Sequence, residues 1–279
     1  MPIHDQGYRR YGGSRAWGRA WWVMFTTGVR TMLGSRRWIV LMVVSWIPFV
    51  VRAVQFYIAA NFAQAATIVA PSSQTFRDFF DQQDLFVFLV TITLGAAAIA
   101  QDRRANALQI YLSKPLTRLE YIVGKLSVLI AFLLFITWVP AILLLILQVL
   151  FAGNFTFLKA NAYLFPAITL YSLIEVVMVS MCMLALSSLS TNSRFVGILY
   201  TALIFFSKAV YGVLLAVTGS NSVSWISFGN NLAQLGDVIF RVPLRYETPW
   251  IVSLAVVIGL IGLSALILER RVRGVEIVA

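Results

Sequence analysis

Three ionisable side chains stand inside long apolar runs of this 279-residue chain: Arg52, Glu175 and Lys208. A charge at the centre of a bilayer costs about 3 kcal/mol or more, which makes each a candidate for function. At about 1.5 Å per helical residue, Arg52 and Lys208 lie toward one face of the membrane, and Glu175 lies near its middle. Glu175 could therefore reach one of the two cations as an interhelical ion pair. The alternatives are cations that snorkel to the surface, a protonated and neutral Glu175, or a direct role in handling cargo or protons.

Other reactive chemistry is scarce. The only histidine, His4, lies in a polar tail, so a membrane-embedded Ser-His dyad has no base. One cysteine, Cys182, leaves no partner for an internal disulfide and no thiolate cluster for a metal. GKLS, Gly124 to Ser127, hints at a phosphate-binding loop. That motif needs a glycine five residues earlier, where Leu119 stands, and Ser or Thr after the lysine, where Leu126 stands.

The elements that position these residues are apolar. The chain is 60% hydrophobic, only 12% charged, and carries a net charge of +11. Runs of about 20 apolar residues span the hydrocarbon, and six qualify: Trp38–Ala60, Leu85–Ala100, Leu126–Phe151, Tyr163–Leu189, Phe195–Val217 and Trp250–Leu268. The second is short and must extend toward Phe79 or thin the bilayer. The basic residues flank these runs instead of tiling one face, which speaks against a nucleic-acid partner. Of the 22 Lys and Arg, sixteen fall on one side of the resulting topology and four, Arg77, Lys159, Arg241 and Arg245, in loops on the other. Cytoplasmic loops are the basic ones, so both termini are expected in the cytoplasm. Arg77 reads as a solvated loop charge in this scheme.

Before the first span, Trp17, Trp21, Phe25, Val29 and Met32 recur at helical spacing, with Arg15, Arg19 and Arg30 elsewhere around the helix. That pattern predicts a helix lying in the membrane interface. In the last long loop, Asn230 or Asn231 could cap a short helix presenting Leu232, Leu235 and Ile239 on one face. It would serve as a lid over a pathway or as packing.

The segment AIAQDRRANALQIYLSKPLTRLEYIVGKL, Ala98 to Leu126, separates the second and third spans. Leu108, Tyr111 and Leu112 share one face of a short helix. Pro115 disfavours helix at Lys114 and ends the element. Thr117 and Glu120 then form a capping box, with Leu116 and Tyr121 placed as its hydrophobic staple. A short helix with an apolar-aromatic face can dock into a partner's groove or pack back as a re-entrant element.

The run from Ile99 to Lys125 resembles the signature of the type-two export permeases of ATP-binding-cassette transporters. In that family an acidic residue after the second span leads to a short helix, a proline, a basic residue and Gly-Lys. The matching positions are Asp102, Leu108, Leu112, Pro115, Arg118, Gly124 and Lys125. The likeness is specific over this segment and architectural elsewhere. One departure is Asn106-Ala107, where relatives often carry Gly-Thr, and it bears on the docking geometry. The resemblance implies an all-α integral membrane fold: six transmembrane helices, an N-terminal interfacial helix, and a short cytoplasmic coupling helix between helices two and three. It makes the whole chain one permease domain, with tails 1–37 and 269–279 around a 38–268 bundle. It assigns Arg103, Arg104, Asn106, Leu108, Tyr111, Leu112, Lys114, Pro115 and Arg118 to contact with a separate ATPase subunit.

On this reading the chain is a non-catalytic subunit of the plasma membrane. It binds no cofactor itself; ATP and Mg sit on the partner ATPase. Six spans make half a transporter, so a second copy or a related permease is expected alongside. The competing readings are a membrane anchor or assembly subunit that moves no cargo, and a secondary transporter, which would favour repeated halves and broken helices.

Overall fold

The computed structural model describes residues 20–62, 71–107, 117–153 and 155–272. Among them all regular structure is helical. Six helices are long and apolar enough to cross a membrane: Arg36–Asn61, Ser73–Arg104, Arg118–Ala152, Leu164–Leu189, Ser193–Thr218 and Trp250–Arg271. The chain is a multi-pass membrane protein. Successive spans alternate in direction, which gathers Arg103, Arg118, Arg194 and Arg270 at one end of the bundle, here called the basic end. The other end, the loop end, holds Phe56, Phe76, Leu144, Leu164 and Phe240 in one core.

The second span is longer than its apolar run. It starts at Ser73 and covers 32 residues, so the extension passes well beyond Phe79. The cause is local: Ser72 accepts from Thr75 N and Thr75 answers the Ser72 backbone, a capping box that starts the helix before the apolar run begins. Phe76, Phe79 and Phe80 then bury one face of the polar-rich stretch.

Two spans are broken by proline, and in the third span a side chain of the second compensates the break. Pro140 supplies no N–H to Ile136, four residues back, and the third span divides at Thr137 into Arg118–Ile136 and Trp138–Ala152. The freed Ile136 carbonyl accepts from Gln83 Nε2 of the second span at 2.6 Å. Pro48 does the same to the first span, which divides into Arg36–Val44 and Ile47–Asn61. The second span carries a π-helical turn, Thr91–Gly95, and its ladder loosens again at Ile99. Ser187 Oγ, from the fourth span, accepts from both Ile99 N and Ala100 N at 3.0 Å and donates to Ala96 O.

A separate helix, Ala20–Leu33, lies along the third span. Phe25, Val29 and Met32, assigned by their spacing to the membrane interface, pack on the bundle core, leaving Trp22, Val23 and Leu33 exposed. The approach is close because glycines face side chains. A Cβ on Gly28 would stand 2.7 Å from Val128, and one on Gly124 would stand 2.9 Å from Met24. Trp17, Arg15 and Arg19 lie outside the described residues.

The loop between the fifth and sixth spans re-enters the bundle. A 3-10 turn, Asn221–Ile226, leads down to Phe228, whose N–H donates to Ser207 Oγ at 3.1 Å. The helix Phe228–Ile239 then climbs back to the loop end. Ser227, not Asn230 or Asn231, caps it by accepting from Asn230 N. Its polar face is spent on the loop itself: Gln234 Nε2 donates to Thr248 O at 2.7 Å, and Asn231 Nδ2 donates to Trp225 O at 2.7 Å. Leu232 and Leu235 join the central core, as their spacing predicted.

Candidate functional site

The second span carries charge at both ends, and each end builds a different site. Toward the loop end, Arg77, Asp81 and Asp84 occupy successive turns of one helical face. Arg77 was expected in a solvated loop. Its side chain is 1% exposed, because the re-entrant helix covers it. Its Nε lies 3.1 Å from Asp237 Oδ1 and its Nη1 lies 2.9 Å from Asp81 Oδ1. The guanidinium also stands over the Tyr171 ring at 5.0 Å. The absence of a side chain at Gly236 makes room for this: a Cβ there would sit 2.5 Å from Arg77 Nε.

Arg245, on the loop leading to the sixth span, closes the cluster. It reaches Asp237 at 2.7 Å and Asp81 at 2.8 Å, and the Asp237 hydrogen bonds hold its pKa above the ordinary arginine value. Two guanidinium groups and two carboxylates thus cancel in a tight square. This is the arrangement that makes buried charge tolerable: every ion is paired, and Arg245 donates hydrogen bonds to both carboxylates.

Below the square lies a cavity of about 460 Å³ between the second, fourth and fifth spans and the re-entrant helix. Asp81, Asp84, Glu175, Lys208 and Arg245 contribute its charged lining, Tyr171 and Tyr200 add hydroxyls, and Phe88 and Phe228 form apolar walls. Glu175 is 1% exposed, and its Oε2 accepts no hydrogen bond from any donor among the described residues. The carboxyl nearest to it in the cavity lining is that of Asp84. Asp84 itself is accessible, and what it faces is the cavity.

The expected ion pair between Glu175 and Arg52 or Lys208 is therefore not formed. Arg52 faces the second span instead, 3.9 Å from Asp78, and donates to Gln82 and to Gln55 of its own helix. Lys208 shares the cavity with Glu175 without an ion pair to it within 4.0 Å. The reason is depth: the second span brings Asp84 to Glu175's level, and a carboxyl neighbour was not the partner that charge complementarity looks for.

A second, separate cavity of about 560 Å³ lies toward the basic end between the second and fifth spans, lined by Thr93, Ala97, Arg194 and Thr201. Phe205 borders both cavities.

At the basic end, Asp102 is clamped. Lys125 Nζ lies 2.7 Å from Asp102 Oδ2, and Tyr121 OH donates to the same oxygen at 2.7 Å. Arg103 donates to the Ser188 carbonyl of the fourth span. The second span then ends on Asn106, in the left-handed region at φ 52°. Glycine is the natural residue in that conformation and asparagine the next best. Across the intervening segment the chain restarts at Thr117, whose Oγ1 accepts from Glu120 N while Glu120 Oε2 accepts from Thr117 N at 3.0 Å. The expected capping box is present. Arg104 and Asn106 are exposed, as is Arg118 in the first turn of the restarted helix. Leu108, Tyr111, Leu112, Lys114 and Pro115 lie outside the described residues, as does the staple residue Leu116.

The charge-balanced square and the placing of Asp84 and Glu175 in one cavity were missed by sequence reasoning, although one signal was present. Arg77, Asp81 and Asp84 recur at helical spacing directly before an apolar run, a polar stripe on what the capping box makes a continuous helix. No protein-family model matches the chain, and neither does any curated protein.

Proposed function

We propose that the chain is the permease subunit of an ATP-binding-cassette transporter, an export permease of the plasma membrane driven by a separate ATPase. One observation carries the reading: the segment that resembles the coupling helix is anchored at both of its ends. On one side Asp102 and Arg103 tie the end of the second span to the third and fourth. On the other, the Thr117–Glu120 box fixes the start of the third span. A segment that transmits force between subunits needs such rigid attachments, whereas a simple connection does not.

The basic end faces the cytoplasm in this proposal, with both termini there, consistent with the distribution of Lys and Arg. Two cavities, each bordered by Phe205, lie along the second and fifth spans, and this is the stretch we assign to cargo. The fifth span leaves Phe195, Ile198, Phe206 and Val213 exposed, the face a second copy or related permease would share with lipid. Cysteines at Ser222 and Ser193, in a background lacking Cys182, test the orientation. Ser222 should label in intact cells and Ser193 only after permeabilisation.

The decisive experiment is the double change Tyr111→Ala, Leu112→Ala. Truncating interface anchors of this kind costs about 2 kcal/mol or more, close to thirty-fold in affinity. ATPase co-purification and stimulated ATP turnover should both fall while membrane insertion survives. Unchanged association and turnover would remove the main support for the permease reading and leave the anchor reading in its place.

A further inference from the structure

A third cavity, about 700 Å³, lies where the helix Ala20–Leu33, the first span and the third span meet. Val29 and Leu33 line it from the first of these, Ile39 and Val43 from the second, Phe132 and Phe135 from the third. Packing explains the slot. Gly28 and Gly124 bring Ala20–Leu33 close onto the third span. Trp38 and Trp46 seat the first span on Phe132 and Phe135, with ring centroids 5.1 and 5.3 Å apart. Space remains between these two lines of contact. It opens sideways, since Leu33, Ile39, Val43 and Phe135 are all exposed. On helices that cross a membrane, such an opening meets lipid tails and not water. The lining carries no charged group, so the part of a ligand held inside is hydrocarbon.

Hydrocarbon alone does not make a binding site in a bilayer, because lipid tails are as apolar as the helices they touch and little is gained by exchange. Selectivity has to come from the head of the molecule, and the slot has a charged head end. Arg36 shares a face of the first span with Ile39, Val43 and Trp46, at i, i+3, i+7 and i+10, one turn nearer the basic end. Arg37 follows it, and Arg30 stands one turn before Leu33 on the opposite wall. All three arginines are exposed, and none pairs with a carboxylate within 4.0 Å among the described residues. Their own segment offers no counter-charge: between Asp5 and Asp78 the chain has no acidic residue. Guanidinium groups match phosphate in charge and in hydrogen-bond geometry. Three of them at the mouth of a hydrocarbon slot complement a phosphate headgroup with an acyl tail behind it.

We infer that this slot holds an anionic glycerophospholipid of the leaflet at the basic end, with one acyl chain in the slot and the phosphate among Arg30, Arg36 and Arg37. The bound lipid ties Ala20–Leu33 to the first span, two elements that the chain itself joins through the short turn at Gly34 and Ser35. The inference rests on the multi-pass fold and not on the permease reading, so it stands or falls independently of any ATPase.

The test is native mass spectrometry and thermal unfolding of the purified full chain, stripped of lipid in detergent. It is titrated with dioleoyl phosphatidylglycerol or, as the zwitterionic control, dioleoyl phosphatidylcholine. The wild type should hold the anionic lipid about tenfold or more tightly than the control, and the anionic lipid should raise its unfolding temperature more. The triple variant Arg30→Gln, Arg36→Gln, Arg37→Gln should lose that preference, each arginine contributing up to about fivefold. Arg270→Gln, Arg271→Gln removes charge from the same end of the bundle and should leave the preference unchanged. Val43→Trp, at an exposed lining position, should fill the slot and lower phosphatidylglycerol affinity about tenfold with the arginines intact. That variant separates a lipid seated in the slot from one drawn to a basic surface. Glycerol 3-phosphate, a headgroup without tails, should not displace the lipid. Equal retention of both lipids by the wild type, an unchanged preference in the triple variant, full affinity in Val43→Trp, displacement by glycerol 3-phosphate, or a dimer that carries no lipid would overturn the inference.

Discussion

The two ends of the second span hold acidic residues in opposite circumstances. At the basic end Asp102 meets Lys125 and Tyr121 on the adjacent span, and both charged side chains remain partly exposed, at 16% and 24%. At the loop end Asp237 is 0% exposed and shares Arg77 and Arg245 with Asp81. Partly exposed pairs contribute little to stability, whereas removing one member of a buried network strands the others. The difference separates what these clusters do. The loop-end square holds the re-entrant helix in the bundle; the basic-end clamp positions a segment without contributing much to the fold.

The largest expected effect breaks the buried side. Asp237→Ala should destabilise the protein by about 3–5 kcal/mol, because it leaves the buried Arg77 with Asp81 alone. Thermal unfolding in detergent measures it. Arg77→Gln should cost less, since Arg245 still answers Asp237, but clearly more than a change at an exposed loop cation such as Arg241. If Asp237→Ala and Arg241→Gln unfold at the same temperature, the square is not structural.

The contrast also marks what the sequence made legible. The spans stand out because about 20 apolar residues have few other uses, and the Thr117–Glu120 box stands out because its partners are three residues apart. Asp102 was marked only by the resemblance to the permease signature. Arg77 was not: its partner Asp237 lies 160 residues away, and a helix start set by Ser72 and Thr75 has to be believed before Arg77 enters the bundle. Glu175 misled for a different reason. Charge complementarity pointed to Arg52 or Lys208, while packing delivered Asp84 to the same cavity. The re-entrant helix hid its depth behind polar residues, Asn231 and Gln234, that turn inward to bind its own loop.

An intermediate effect sharpens the comparison at the second span's loosened turn. Ser187→Ala removes the acceptor for Ile99 N and Ala100 N, both buried. Leaving buried donors unsatisfied costs about 1–3 kcal/mol, so the loss of stability should fall between those of Asp237→Ala and Asp102→Asn. Ser187→Thr retains the hydroxyl and should recover part of it. A Ser187→Ala protein as stable as wild type would mean that the helix reforms its own ladder through this turn.

The smallest stability effect is expected at Asp102, and there it should part from function. Asp102→Asn keeps an acceptor for Tyr121 OH but removes the attraction to Lys125. With both charges partly exposed, the change should cost about 1 kcal/mol or less in unfolding. In the proposed permease, however, the clamp fixes one end of the segment that meets the ATPase. Loosening it should leave association largely intact, because the apolar contacts of Tyr111 and Leu112 are untouched, while ATP turnover becomes less responsive to the membrane subunit. The pairing of measurements decides. Asp237→Ala should lower unfolding temperature more than Asp102→Asn, and Asp102→Asn should lower stimulated turnover out of proportion to its effect on stability. If Asp102→Asn unfolds as readily as Asp237→Ala, the clamp is a structural ion pair like the square, and the division of labour between the two ends of the second span fails.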